Sequence, residues 1–255
     1  MESQVTRLVG RVWGESQAHP RKHPQPLTES PKPEKFQNTP ENARLLIAVS
    51  GIPGSGKTEL AISMAKRINE LYGAQNGGRL IATSIPMDGY HLTRAQLAQM
   101  PDPEMAAARR GAAFTFDGDK FLELVRALRE PLTAQTQTLH APSFDHAVKD
   151  PVDNDIPIAA ERRVILFEGN YLSLNREPWS LAAKLMDELW FVDVDFDTAR
   201  KRLIKRHVKA GIAKDEAEAE KRVDENDLVN GREIVDYRLD VQEIITSSYD
   251  PKWEY

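Results

Sequence analysis

A glycine-rich loop that ends in lysine and threonine is the part of the sequence best suited to chemistry. Gly51, Gly56, Lys57 and Thr58 fit the spacing G-x-x-x-x-G-K-S/T, with an apolar run before the loop and an amphipathic stretch after it. Glycines let backbone N–H groups approach phosphate oxygens, the lysine reaches the outer phosphates, and the threonine hydroxyl is a ligand for Mg²⁺. The loop therefore predicts a site for ATP and Mg²⁺, and an ordinary glycine-rich turn is the weaker alternative. The residues expected to bind the nucleotide are Gly51, Ile52, Pro53, Gly54, Ser55, Gly56, Lys57 and Thr58.

Two acidic residues follow apolar runs further along the chain. Glu168 comes directly after residues 164–167, and Asp88 follows the run that ends at Ile85. In open α/β sheets ligands bind beyond the carboxyl ends of the strands, so both carboxylates are expected beside the loop. Glu168 is expected to hold Mg²⁺ directly or through water, and Asp88 to take the proton of an attacking hydroxyl. Spacing alone supports two alternatives equally well: a solvated strand end for Glu168 and an Asp-Gly turn for Asp88.

Short apolar runs alternate with amphipathic stretches through the part of the chain that carries these residues. Nearly continuous apolar runs of this length are typical of parallel strands that are covered on both faces. Leu60, Met64, Ile68 and Leu71 form one helical stripe between two such runs. The pattern predicts an open α/β fold, a parallel sheet with helices on both faces, and the glycine-rich loop makes it a P-loop NTPase fold. The predicted strands are residues 45–49, 80–85, 164–167 and 189–192.

Composition sets limits on the class of protein. The chain has 255 residues, 40% of them hydrophobic, which suits one main domain with a sizeable core. Its formal net charge of -5 provides no basic field for nucleic acid or anionic lipid. The sequence has no cysteine, and no apolar run approaches the roughly 18 residues of a membrane-spanning helix. We therefore expect a cytoplasmic protein that acts on a small molecule, without nucleic acid or membrane; the oligomeric state stays open, a homodimer included.

Six separated motifs occur in an order that resembles a known enzyme family. They are GIPGSGKT, PMDGYHL, RRGAAFTFD, APSFDHAVKDPV, VILFEGNYL and ARKRLIKRH. Together they resemble the P-loop kinases that include uridine kinase, phosphoribulokinase and the bacterial-type pantothenate kinase, over roughly residues 44 to 250. Within this family, the motif sequences are most similar to a uridine kinase-like and fructose-transport-kinase-like branch, which includes fungal ATP-dependent kinases. The resemblance implies transfer of the γ-phosphate of ATP to a hydroxyl of a small metabolite.

The same resemblance implies which residues bind the phosphate acceptor and which hydroxyl compounds are candidates. By position, the implied acceptor site consists of Asp88, Tyr90, His91, Arg109, Arg110, Asp145 and His146. A solvated helix end is the alternative for the two arginines, and simple packing is the alternative for His146. A nucleoside is the favoured acceptor because the named relatives include uridine kinases, and pantothenate-like molecules and sugars are the alternatives.

A basic run near residue 200 is the last motif of the resemblance. Arg202 and Arg206 are four residues apart and share one face of a helix. Relatives use arginines here in a helical lid that closes over ATP, which implies that both act in catalysis together with Lys57 and Asp88. A solvated helix or an RNA-binding patch is the alternative, and the run contains no aromatic side chain to stack on bases.

The chain divides into three expected parts. Residues 1–13 are expected to form an N-terminal helix, residues 14–42 a flexible Pro-rich insertion of unassigned role, and residues 43–255 the P-loop kinase domain. Glu59 stands where many relatives carry a second hydroxyl, and its carboxylate would repel phosphate unless it turns away. The segment ENDLVNG resembles a family segment near the base of the nucleotide, with capping and turn formation as the alternative for Asn226 and Asp227.

An acceptor-independent P-loop ATPase or nucleotide switch is the competing class of function. A GTPase should carry an N-K-x-D motif, which the sequence lacks. A mechanical ATPase should carry a water-positioning residue, and the sequence identifies none. The set Lys57, Thr58, Asp88 and Glu168 favours a kinase.

Overall fold

The computed structural model describes residues 2–13 and 35–247. Five parallel strands form the central sheet in the order β2-β5-β1-β6-β7, and β3 and β4 form a separate antiparallel hairpin. The strands are β1 (Leu45–Gly51), β2 (Ala82–Pro86), β3 (Leu139–Asp145), β4 (Asp150–Ile158), β5 (Val164–Gly169), β6 (Glu188–Asp193) and β7 (Glu243–Thr246). All four predicted strands of the parallel sheet are present. The hairpin and β7 are additions that the apolar runs did not indicate.

Helices connect the strands and cover both faces of the sheet. They are α1 (Glu2–Trp13), α2 (Lys57–Gln75), α3 (Arg94–Leu97), α4 (Pro103–Ala108), α5 (Gly118–Arg129), α6 (Trp179–Ala183), α7 (Phe196–Lys209), α8 (Glu216–Arg222) and α9 (Leu228–Asp236). A 3-10 turn, Met87–Tyr90, follows β2, and a π-helical turn, Val223–Asp227, joins α8 to α9. Side-chain caps start several helices: Asp117 accepts from Lys120 N at α5, and Asp195 accepts from Thr198 N at α7.

Strand β1 shows how one strand contributes to two cores. All seven of its residues are buried, and alternate side chains point to opposite faces. Leu46 and Ala48 belong to the core formed with α5 and α6, whereas Ile47 and Val49 belong to the core formed with α1 and α2. A helix layer on each face explains why the strand is apolar throughout, and the predicted α/β architecture is confirmed.

The N-terminal segment packs against the α/β core. Helix α1 buries one stripe against α2 and the sheet; the stripe consists of Val5, Leu8, Val9 and Val12. Residues 14–34 of the predicted insertion lie outside the described residues. Residues 35–42, which the sequence analysis grouped with that insertion, form turns, and Phe36 stacks on Trp13 with ring centroids 5.3 Å apart. In the described part of the chain, no helix is long and apolar enough to cross a membrane.

Candidate active site

The phosphate loop lies between β1 and α2, and α2 begins at Lys57, directly after Gly56. Gly54 has a φ of 79°, a left-handed conformation that favours glycine, and a Cβ there would lie 3.0 Å from the Ala199 carbonyl oxygen of α7. Helix α7 therefore packs directly on the loop. The loop and the first turn of α2 place backbone N–H groups at a helix N-terminus, which suits an anionic ligand.

A hydroxyl and a carboxylate meet beside the loop in a way that suits Mg²⁺. Glu168 lies near the end of β5, which pairs with β1, and Thr58 Oγ1 donates a hydrogen bond to Glu168 Oε2 at 3.0 Å. Glu168 is buried, and this burial raises its pKa to about 7 against the opposing charge of Lys57. Such oxygens are the ligands that Mg²⁺ takes in phosphate-transferring sites, where the nucleotide phosphates and water complete the coordination. No described group of three or more His, Cys, Asp or Glu residues forms a metal site by itself.

Asp88 and two cationic side chains share this end of the sheet. Asp88 lies on the 3-10 turn after β2, and its charge acts on both Lys57 and Glu168. Arg206 also acts on Lys57 and Glu168. Burial lowers the pKa of Lys57, although the charges of Glu168 and Asp88 raise it. Among the described residues, none hydrogen-bonds or ion-pairs with the side chains of Asp88, Lys57 or Arg206, so all three remain available to a ligand.

Helix α7 contributes both predicted arginines, but in different ways. Arg202 Nη1 donates to the Gly54 carbonyl oxygen at 3.1 Å and to Ser247 Oγ at 2.9 Å, so it holds the backbone of the phosphate loop. Arg206 is exposed and acts on the loop lysine through its charge. The geometry thus gives Arg202 a supporting contact and Arg206 an open position beside the site.

The aromatic residues after Asp88 divide between core and site. His91 Nδ1 lies 2.8 Å from the Asp88 carbonyl oxygen, and its ring centroid lies 3.9 Å from that of Phe116 and 4.9 Å from that of Phe144. Burial lowers the pKa of His91, which favours the neutral form of its ring. Tyr90, in contrast, is only 2% exposed and packs edge-on against Phe121. The structure packs the Tyr90 ring into the core, and a contact of its hydroxyl with an acceptor stays a prediction.

The β3–β4 hairpin brings a second segment to Asp88. A Cβ on Gly89 would lie 2.1 Å from the Pro142 carbonyl oxygen, so only glycine allows this approach of the hairpin to the 3-10 turn. His146 is exposed at the hairpin tip, with its ring 5.2 Å from that of Phe144. Asp145 Oδ1 accepts hydrogen bonds from Ala147 N at 2.7 Å and Val148 N at 3.0 Å, which lower the pKa of Asp145. Asp145 Oδ1 therefore stabilises the turn of the hairpin, and the contact of Asp145 with an acceptor stays a prediction.

The two adjacent arginines are held by protein partners. Arg109 Nε donates to Asn226 Oδ1 at 3.0 Å, and Arg109 Nη2 donates to Asn230 Oδ1 at 2.7 Å. Neither arginine is the solvated helix end of the alternative reading, because both are half-buried and hydrogen-bonded within the protein. The partners of Arg110 are the carbonyl oxygens of Leu92 and Lys149 and the Asp150 carboxylate.

Asn230 is a residue of this region that the sequence analysis missed. It is 1% exposed, and Asn226, which was considered only for the nucleotide base or a cap, is 3% exposed. The two are four residues apart, and this spacing, which places two amides on one helical face, is the signal that would have paired them.

Comparison with known proteins gives relatives in sequence and neighbours in structure. No family model matches the chain. The ATP-dependent kinase-like protein notR' of Aspergillus versicolor is 60% identical over 163 residues, which are 64% of this chain and 95% of that protein. A Schizosaccharomyces pombe protein, provisionally named as a uridine kinase, is 44% identical over 187 residues, 73% of this chain and 76% of that protein.

A solved structure shares the fold. It is the Saccharomyces cerevisiae protein YFH7, provisionally described as a P-loop-containing kinase with a circular permutation. The TM-score is 0.71 with 24% sequence identity, over 81% of this chain and 93% of that chain. At this identity the likeness establishes a common fold.

Proposed function

Because this chain belongs to the uridine kinase-like family of ATP-dependent P-loop kinases, we propose that it phosphorylates a hydroxyl of a nucleoside. The family and the small-molecule kinase activity follow from the relatives, whereas the acceptor is the new element of the proposal. The provisional name of the S. pombe relative supports a nucleoside. The rings of His91 and Phe144 also support it, because they lie together near the Asp88 backbone and such rings pack well against a planar base.

The observation that carries the proposal is the position of the Asp88 carboxylate. It lies within electrostatic reach of Lys57 and Glu168, and among the described residues it has no hydrogen-bond or ion-pair partner. A carboxylate in this place is suited to accept the proton of an acceptor hydroxyl. Lys57 and Arg206 supply positive charge where negative charge develops on the transferred phosphoryl group.

The residues around Thr58 fit a magnesium ion. Thr58 and Glu168 would hold it, with Glu168 bound directly or through water. When bound, the ion would neutralise charge on the nucleotide phosphates. Arg202 fixes the loop backbone at Gly54, which keeps the N–H groups of the loop directed at the nucleotide.

The test is release of ADP by the purified protein with Mg²⁺ and ATP, across a panel of nucleosides, pantothenate, sugars and sugar phosphates. We expect signal that depends on a nucleoside, and a loss of roughly 10² to 10⁴ in kcat for Asp88→Asn, because loss of a general base typically costs this much. Asp119→Asn is the matched control, since Asp119 is an exposed acid in the first turn of α5 and should leave kcat unchanged.

Two outcomes would contradict parts of the proposal. Signal with a sugar or a pantothenate-like compound in place of nucleosides would overturn the acceptor class and leave Asp88 as base. Hydrolysis without any acceptor, equal in wild type and Asp88→Asn, would show that the phosphoryl group goes to water.

A further inference from the structure

Arg109 is anchored by two buried amides. Its planar guanidinium donates to Asn226 Oδ1 and to Asn230 Oδ1, and these side chains lie one helical turn apart. Asn230 Nδ2 in turn donates to Asn226 Oδ1 at 3.3 Å, and Asn226 Nδ2 donates to the Arg110 carbonyl oxygen at 3.0 Å. Buried amides are costly unless they are paired, so this network fixes the loop at residues 109–111 to the helix behind it.

Asn226 lies in the π-helical turn Val223–Asp227, and its neighbour in that turn points elsewhere. Asp227 Oδ2 lies 2.7 Å from Nε2 of His207, a residue of α7 that is 4% exposed. The turn therefore faces the loop at residues 109–111 through Asn226 and faces α7 through Asp227. Single π-helical turns within helices are frequent at functional sites.

Helix α7 completes the path to the nucleotide. It carries Arg202, which holds the Gly54 carbonyl oxygen, and Arg206, whose charge reaches Lys57. On the other side, Arg110 binds the carbonyl oxygen of Leu92, four residues after Asp88, and the Asp150 carboxylate of the hairpin. A continuous set of hydrogen bonds and packed helix thus joins the acceptor side of the site to the phosphate loop.

We propose that Arg109 is a positioning residue that couples the acceptor side to the phosphate side through the π-helical turn. This inference rests on the proposed function, because it assumes that ATP binds at the phosphate loop. Arg109 acts through Asn226 and Asn230, and its two bonded nitrogens are turned toward these amides. The consequence is that a change at Arg109 alters nucleotide binding, although no described hydrogen bond or ion pair joins Arg109 to the phosphate loop.

The experiment measures binding of AMP-PNP with Mg²⁺, a probe that needs no acceptor, by titration calorimetry. We expect Arg109→Met to weaken AMP-PNP binding at least about 5-fold, the lower end of ordinary coupling between sites. Arg109→Lys can bond one of the two amides, so its affinity for AMP-PNP should lie between those of Arg109→Met and wild type. Lys120→Met is the matched control: it breaks an ion pair with Asp153 of the hairpin but does not touch the turn, and should bind as wild type does.

A second readout separates positioning from general destabilisation. Hydrogen exchange of the α7 peptide, measured without ligand and well below the unfolding temperature, should rise in Arg109→Met and stay unchanged in Lys120→Met. If Arg109→Met does not fold, Arg109→Lys decides alone by the same two measurements.

The outcomes are distinct. Wild-type affinity in the folded Arg109 variants would overturn the coupling and leave the proposed function standing. A wild-type protein that does not bind AMP-PNP at all would overturn the proposed function, and this inference with it.

Discussion

Glu168 is a carboxyl group whose environment changes its protonation at neutral pH. Burial raises its pKa to about 7 from an ordinary value of 4.5. Between pH 4.5 and pH 7 the folded protein therefore holds a proton that the unfolded chain has released. The contribution of Glu168 to the free energy of unfolding of the metal-free protein should consequently fall as pH rises through this window and become constant above about pH 7.

The measurement is urea unfolding in EDTA at intervals from pH 5 to pH 8, for wild type and Glu168→Gln. The variant has no group that titrates at this position, so the difference between the two proteins should vary with pH in this window. A constant difference across the series would show that Glu168 has an ordinary pKa in the folded state.

At the scale of elements, α1 is attached to the sheet by a buried charge. Arg11 pairs with Glu188 of β6 at 2.9 Å and with Glu243 of β7 at 2.7 Å, and the Glu188 side chain is 1% exposed. Arg11→Met leaves that carboxylate with only Lys35, at 3.1 Å, and the Trp190 N–H, so the cost should lie below the about 3–5 kcal/mol of a buried charge left without a partner. Arg7→Met is the control, because the exposed pair of Arg7 with Glu243 should contribute about 0–1 kcal/mol. Urea unfolding at pH 7 measures both changes.

The pH dependence of the same contact has the opposite sign to that of Glu168. Burial acts to raise the pKa of Glu188, but hydrogen bonds from Arg11 and Trp190 and the charge of Arg11 outweigh it and lower the pKa. The stability from this contact is therefore fully present above the ordinary pKa of 4.5 and is lost as pH falls through the lowered value. The destabilisation of Arg11→Met should shrink in that acidic range, and a constant effect down to pH 3 would contradict this account.

For the whole molecule, nucleotide binding should stabilise the fold because only the folded chain brings the loop and α7 together. At 100 times its dissociation constant, AMP-PNP with Mg²⁺ should add about 2.7 kcal/mol to the free energy of unfolding. Lys57→Met should lose most of this gain, since its ammonium has no other bonded partner among the described residues. Thermal unfolding with and without the analogue tests this, and an equal shift in both proteins would place the nucleotide elsewhere.

Sequence reasoning reached the parallel sheet and the phosphate loop because both have strong local signals. Residues 164–167 are apolar without interruption, and the glycines and threonine around Lys57 have the spacing of a phosphate-binding loop. The hairpin gave no such signal, since β4 reads DPVDNDIPI and most of its residues face solvent. The direction of Tyr90 and the partners of Arg109 depend on segments far apart in sequence, which periodicity cannot pair.

Helix α1 and strand β7 come from opposite ends of the described chain, and they lie side by side. Gln4 Nε2 donates to the Thr246 carbonyl oxygen at 2.6 Å, and Arg7 pairs with Glu243. A short peptide linker could join these two segments, and new termini could be placed at the exposed turn around Gly77. The permuted chain would contain the same elements in a different order along the sequence. The arrangement of side chains around Lys57 should be unchanged, because it depends on which elements are neighbours in space. In this architecture the starting point of the polypeptide should therefore matter less than which elements pack beside Lys57.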